Sequence, residues 1–265
     1  MSSGRLRTNY VLGQGKTDSS MEIKSIQPDK SLAGFVESFW MIRNDLAAEK
    51  EIIVLPDGRF DIIFFLANGS FHATLRGLDT YPEQAAIPGR TIMFAVSFKL
   101  LAVEYLLDIK MAAILNNGEQ LPDGFWNIGP QDLEDFQGFC AKISTTMLAL
   151  IKPGIDNRKK ELFELIYTSN GSLTVHDLSD RVAWSRRQIN RYFNEQFGIS
   201  LKAYCNIFRF KSSLQQIKEG RLFPELNFAD QTHFIKEVKR FSGVSPKELA
   251  KNQNGRFILL SDLSQ

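Results

Sequence analysis

The hydrophobic rhythm of the chain changes once, near residue 128, and that change constrains the fold more than any other feature of the sequence. From Met21 to about Trp126 the apolar residues come in short runs rich in Ile, Val and Phe: "FVESFWMI", "EIIVL", "FDIIFFL", "SFHATLR" and "TIMFAVSF". The turn signals "PDG", "NGS" and "IPGR" separate them. Such runs predict the strands of a β-barrel or sandwich. The segment "KLLAVEYLLDIK" fits a short helix or a strand equally well. Further on, Leu133, Phe136, Cys140, Ile143, Met147 and Leu150 repeat at helical spacing. After "KPGIDN", which breaks that helix, every segment reads as helix. The fold class expected is therefore α+β: a polar flexible tail over 1–20, a β-rich domain over 21–127, a helical linker over 128–157, an all-α domain over 158–252 and a tail over 253–265. The apolar stripe from Leu133 to Leu150 is the face on which a homodimer is expected.

Charge separates along the same division. Residues 1–157 carry 14 Lys and Arg against 19 Asp and Glu, a balance of −5, whereas residues 158–254 carry 17 against 10, a balance of +7. A basic module beside an acidic one points to a polyanionic partner. Other classes drop out. No apolar run reaches the ~18 residues of a membrane span, and the start of the chain lacks the apolar core of a secretory signal, so a cytoplasmic protein is expected. Cys140 and Cys205 stand far apart with no CxxC partner, so neither a disulfide framework nor a zinc site is expected. "GQGK" near the start lacks the GxxxxGK[ST] spacing of a phosphate loop.

The helical half has clear punctuation. "RKKELFELIYTS" ends at Asn170-Gly171, a C-terminal stop. Thr174 with Asp177 forms a capping-box pattern, and Ser185 is a good N-cap for "RRQINRYFNEQF", which closes at Gly198. The long helix "SLKAYCNIFRFKSSLQQIKEG" closes at Gly220, and a short one is expected at "VSPKELAK".

On a helical wheel, Ile189, Tyr192, Phe193 and Phe197 gather on one side, with Arg187, Gln188, Arg191 and Asn194 opposite. The stretch "FADQTHFIKEVKRFSG" repeats the arrangement. Phe234, Ile235, Val238 and Phe241 face one way, and Thr232, His233, Lys236, Lys239 and Arg240 face the other. Two such helices, each preceded by a shorter element and joined by one long helix, are in the order of two helix-turn-helix units. Their residue types suit double-stranded DNA. Arg pairs bidentately with guanine O6 and N7, Asn and Gln do so with adenine, and Lys, Ser and Thr anchor phosphates. The first turns of such a helix enter the major groove.

These residues carry a resemblance. "SRRQINRYFNEQFGIS" and "FADQTHFIKEVKRFSGVSPKEL" resemble the carboxy-terminal signature of the AraC/XylS family of bacterial transcription regulators, over residues 173 to 249. The resemblance implies sequence-specific DNA binding and places base-facing positions at Arg187, Asn190 and Arg191 in the first unit. In the second unit it places them at Gln231, Thr232, His233 and Lys236. Asn190 lies at the flank of the polar face. Together with the wheel, the candidate DNA-binding set is Arg186, Arg187, Gln188, Asn190, Arg191, Gln231, Thr232, His233, Lys236, Lys239 and Arg240. One departure stands out: "GRLFPELNFADQ" puts Pro224 where the second unit's supporting helix belongs and Asn227 where its turn glycine would be, so that helix is expected to be short or distorted. The amino-terminal half, through "ESFW", "VLPDGRFDIIF" and "MFAVSFK", resembles the β-rich, cupin-like sensor domain of some members. That implies a small-molecule effector, dimerisation, or both.

Catalysis finds little support. A cupin-type metal enzyme needs clustered His and carboxylates, and His72 is the one histidine of the amino-terminal half. Asp57 and Asp61 flank a turn and are explained by turn chemistry. The enzymatic alternative is a DNA-repair methyl acceptor fused to this type of DNA-binding unit, which needs a reactive cysteine in an electropositive setting. The other alternative is a basic helical module that binds protein or RNA. No cofactor and no metal are expected.

Overall fold

A computed structural model describes residues 21–225 and 228–258. The amino-terminal half is antiparallel throughout. Its strands are β1 (Met21–Ile26), β2 (Val36–Asn44), β3 (Lys50–Val54), β4 (Phe60–Ala67), β5 (Ser70–Arg76), β6 (Glu83–Ile87), β7 (Thr91–Phe98) and β8 (Gly118–Gln120). Six of them form one sheet in the order β1-β2-β7-β4-β5-β8, and β3 and β6 pair as a separate ribbon. The β4–β5 hairpin closes on Asn68-Gly69, both with positive φ (50° and 78°), as a two-residue turn matched to strand twist requires.

Alternation gives the sheet two unlike faces. Phe60, Ile62 and Phe64 of β4 pair with Phe98, Val96 and Phe94 of β7, and all six are buried. Helix α1 (Phe136–Leu150) covers this face: the Phe139 ring lies 5.5 Å from Phe64 and 5.3 Å from Phe94. On the other face, Met21, Ile42, Ile52 and Ile87 form a small cluster that joins the ribbon to the sheet. Asp57 does serve its turn, accepting from the Arg59 amide at 2.8 Å. Asp61 does not; it accepts from Trp40 Nε1 at 3.1 Å, and burial, with Asp57 adding to it, holds its carboxyl up at about 7. The segment left open between helix and strand is one π-helical turn, Val103–Leu107, ended by Asp108 in the left-handed region.

The stripe expected to serve a homodimer is covered by the chain's own sheet. Leu133, Phe136, Cys140, Ile143 and Met147 are buried in the same core as Phe64 and Phe94, while Leu148 and Leu150 stay exposed. The periodicity correctly reports a buried face, but its partner is intramolecular.

The core does not stop at "KPGIDN". One continuous cluster runs from the sheet into the helical half, which comprises α2 (Asn157–Thr168), α3 (Val175–Arg181), α4 (Arg186–Phe197), α5 (Leu201–Lys218), α6 (Gln231–Ser242) and α7 (Pro246–Lys251). Two polar knots lie on that seam. In the first, the turn Asp57-Gly58-Arg59 enters the helical half. Arg59 is buried, donates to Glu37 at 3.0 Å and to the Tyr204 hydroxyl of α5 at 3.3 Å, and lies over the rings of Tyr167 (4.7 Å) and Phe208 (5.0 Å). The Tyr204 hydroxyl donates back to the Gly58 carbonyl at 3.0 Å. A bulge in β2 between Val36 and Ser38 re-aims Glu37, which also accepts from Lys211 of α5 at 2.9 Å. In the second knot, Glu104 accepts from Lys159 of α2 at 2.6 Å and from the Tyr192 hydroxyl of α4 at 2.5 Å.

Burial alone would push the Glu37 carboxyl up, but Arg59, Lys211 and Lys99 outweigh it and hold the group down at about 2. A carboxyl depressed in the folded state contributes stability above its unfolded value, and that contribution is lost as pH falls through the folded one. Wild-type stability is therefore expected to decline between about pH 4.5 and pH 2 more steeply than that of Glu37→Gln. Urea unfolding at stepped pH measures this, and parallel curves would show that Glu37 ionisation is not linked to folding.

Candidate nucleic-acid interface

Helix α3 starts on a reciprocal box, with Thr174 Oγ1 accepting from the Asp177 amide and the Asp177 carboxylate accepting from the Thr174 amide, both at 3.1 Å. The chain turns through Ala183, at φ 48°, and α4 starts on Ser185. Its hydroxyl accepts from the Gln188 amide at 3.3 Å while Gln188 Oε1 accepts from Ser185 Oγ at 2.7 Å. Gly198 ends α4 in the left-handed region. The wheel holds for this helix. Ile189, Tyr192, Phe193 and Phe197 are buried, and Arg186, Arg187, Gln188, Arg191 and Asn194 are exposed. Arg187 reaches out freely among the described residues, and Arg191 has one loose neighbour, Glu195 at 3.9 Å. Two candidates are partly engaged at home. The Gln188 carbonyl oxygen serves the cap, leaving its amide hydrogens available, and half-buried Asn190 donates to the Arg186 carbonyl at 3.1 Å.

Helix α6 starts on Asp230, whose carboxylate accepts from the His233 amide at 2.8 Å, and ends on Gly243. Phe234, Val238 and Phe241 are buried. Thr232, Lys236, Lys239 and Arg240, spaced i, i+4, i+7 and i+8, form the exposed face. Arg240 leans on its own helix, 3.6 Å from Glu237. His233 is half-buried, its ring 5.8 Å from that of Phe228. Gln231 departs from what the resemblance implies. It is half-buried and donates to the Leu222 carbonyl at 2.9 Å, so this side chain ties the preceding segment down instead of facing outward.

That segment explains why. Residues 221–225 and 228–230 contain no helix, as Pro224 foretells; Asn227 lies outside the described residues. In place of a supporting helix, two amides pin the chain: Gln216 of α5, which donates to the Phe223 carbonyl at 2.8 Å, and Gln231 of α6. Behind both units runs α5, with α7 closing the second on a Ser245–Glu248 capping box.

Neither cysteine lies in the electropositive, accessible setting expected of a methyl acceptor. Cys140 and Cys205 are both buried, and burial pushes each thiol up to about 12, away from the thiolate that methyl transfer to sulfur needs. Among the described residues no three His, Cys, Asp or Glu side chains cluster as a metal site, and no helix is long and apolar enough to cross a membrane.

What the sequence reading missed lies on α5. Lys202, Asn206 and Arg209, at i, i+4 and i+7, line a cleft together with Arg186 of α4 and His233 of α6. A wheel drawn for α5 would have shown the stripe.

Residues 178–252 match a family model described as a helix-turn-helix domain, and residues 24–120 match one described as a domain of unknown function (DUF6597). No match is found among curated proteins. Solved structures of ToxT from Vibrio cholerae are similar at low level. The form bound to (E)-4-(8-methylnaphthalen-1-yl)but-3-enoic acid is 15% identical, with a TM-score of 0.41 over 91% of this chain and 100% of that one. The unsaturated fatty acid bound form is 13% identical, with a TM-score of 0.34 over 89% and 96%. At these scores the likeness carries no weight for the ligands or activity of this chain.

Proposed function

We infer the mode of action from one premise, that the chain is a DNA-binding transcription regulator of the AraC family with its helix-turn-helix domain at residues 178–252. We propose that α4 is its principal sequence reader. Arg187 and Arg191 would meet base edges, with Gln188 and Asn190 supporting, and Thr232, Lys236, Lys239 and Arg240 of α6 would hold a neighbouring groove mainly through the backbone. The observation that carries this is the sidedness of the two helices. Phe193 and Phe234 are fully buried, so the basic faces opposite them are presented to solvent as fixed surfaces. The asymmetry rests on the scaffolds: α4 stands behind a complete helix, whereas α6 stands behind the non-helical segment around Pro224. The amino-terminal domain is proposed as the controlling part, answering a ligand or partner in the cytoplasm and acting through the Arg59 and Glu104 knots.

Selection of bound sequences from random duplex DNA tests the reading, and the absence of any enriched sequence would overturn it. On the selected site, Arg191→Ala is expected to cost about 1 to 3 kcal/mol and to relax preference at one position. Lys239→Ala is expected to weaken all sequences equally and to flatten the salt dependence by about one unit. An unchanged preference in Arg191→Ala would move that side chain to phosphate anchoring.

A further inference from the structure

We propose that the cleft between the two helix-turn-helix units is a phosphodiester site, taking the DNA backbone where it passes from one engaged groove toward the next. This rests on the DNA reading above and extends it to residues on α5. The cleft has a volume of about 760 Å³. Its rims are the two reading ends, Arg186 as the first residue of α4 and His233 in the first turn of α6, and its floor is the Lys202, Asn206 and Arg209 face of α5. Thirteen residues line it, and not one is Asp or Glu.

The cations there are uncompensated. Among the described residues, none of Arg186, Lys202 and Arg209 has a carboxylate within ion-pair distance, although ion pairs are frequent elsewhere on the surface, as at Lys142–Asp132 and Arg158–Asp156. Arg209 is held in place without being neutralised. One terminal nitrogen donates to the Gly171 carbonyl at 3.0 Å, the guanidinium lies 5.9 Å from the Phe228 ring centroid, and Nε is shielded from water with no partner. A guanidinium fixed this way loses little side-chain entropy when an anion arrives. A duplex gripped by both reading ends must run its sugar-phosphate chain across the space between them. Phosphates there would meet Lys202 and Arg209 at the floor and Arg186 at the rim.

Counterion release supplies the readout, since each phosphate neutralised contributes about 0.9 to the slope of log K against log salt. Binding of full-length protein to its selected duplex and to an unselected duplex would be followed by fluorescence anisotropy across a salt series. Lys202→Gln changes an exposed side chain, which keeps folding out of the comparison. The expected result is a slope flattened by about one unit, a similar fold-loss on both duplexes, and an unchanged base preference. Arg186→Gln combined with Lys202→Gln should flatten it by about two units. Replacing the phosphates that cross the cleft by neutral methylphosphonates should weaken wild type most, Lys202→Gln less, and the double variant least. An unchanged slope, or a loss confined to one base position, overturns the cleft while leaving the DNA reading intact. If wild type binds neither duplex, the DNA reading itself falls.

Discussion

Arg59→Ala is expected to destabilise the folded chain by about 3 to 5 kcal/mol, the range for removing one partner of a buried charged pair. The guanidinium is buried between the domains. Its loss leaves the Tyr204 hydroxyl and Glu37 each short of a donor and opens a void between the Tyr167 and Phe208 rings. Lys211 and Lys99 still face Glu37, at 2.9 and 3.7 Å, which argues for the lower end of that range. Arg59→Lys should recover only part, because an ammonium cannot donate to Glu37 and Tyr204 in the planar fork while lying flat on two rings. Urea unfolding followed by both tyrosine fluorescence and far-ultraviolet circular dichroism is the measurement. A loss below about 1 kcal/mol would mean that the seam is wet and contributes little.

Phe193→Ala is expected to cost a similar 3 to 5 kcal/mol, the usual toll of deleting a fully buried phenyl ring. Its ring centroid lies 5.1 Å from Phe197, 5.7 Å from Tyr204 and 5.9 Å from Phe163, so one ring joins α4, α5 and α2. With it gone, α4 loses the support that fixes Arg187 and Arg191 in space, and affinity for the selected duplex should fall by at least tenfold even where the protein remains folded. Phe223→Ala is the control. That side chain is 74% exposed, and its removal should change stability by no more than about 0.5 kcal/mol. Comparable losses in the two variants would contradict the assignment of Phe193 to the core of the reading unit.

Much of this architecture is legible in the sequence, for reasons that also mark the limit. Caps and stops act within four residues, so Thr174, Ser185, Gly198 and Gly243 could be read directly. The strands with long Ile and Phe runs announce themselves, whereas β6 ("EQAAI") and β8 ("GEQ") have too few apolar residues to do so. A helical wheel tells which side is buried but not against what. Hence the stripe on α1 looked available for a second copy when its own sheet covers it. The resemblance faces Gln231 outward, yet it stands one turn before Phe234 and two before Val238 on the apolar side of α6, where a neighbouring carbonyl without a helical partner holds it. "PDGR" reads as an ordinary turn, and nothing nearby shows that its arginine ends between two aromatic rings of another domain.

The separation along the chain between Gly58 and Tyr204, 146 positions, has a consequence for how the molecule is made. Domains emerging from synthesis fold from the amino terminus onward, and contacts between distant segments form last because loop closure must precede them. The antiparallel pairs among β1 to β8 can thus form, apart from the bridge of Ile53 to Phe257, while Arg59 still lacks the rings that will hold it. Arg59 remains open to solvent until α5 has been synthesised. The relative placement of the two halves is therefore decided in the final stage of folding. Any molecule able to occupy the Arg59 turn during that interval would compete with α5 for the same position.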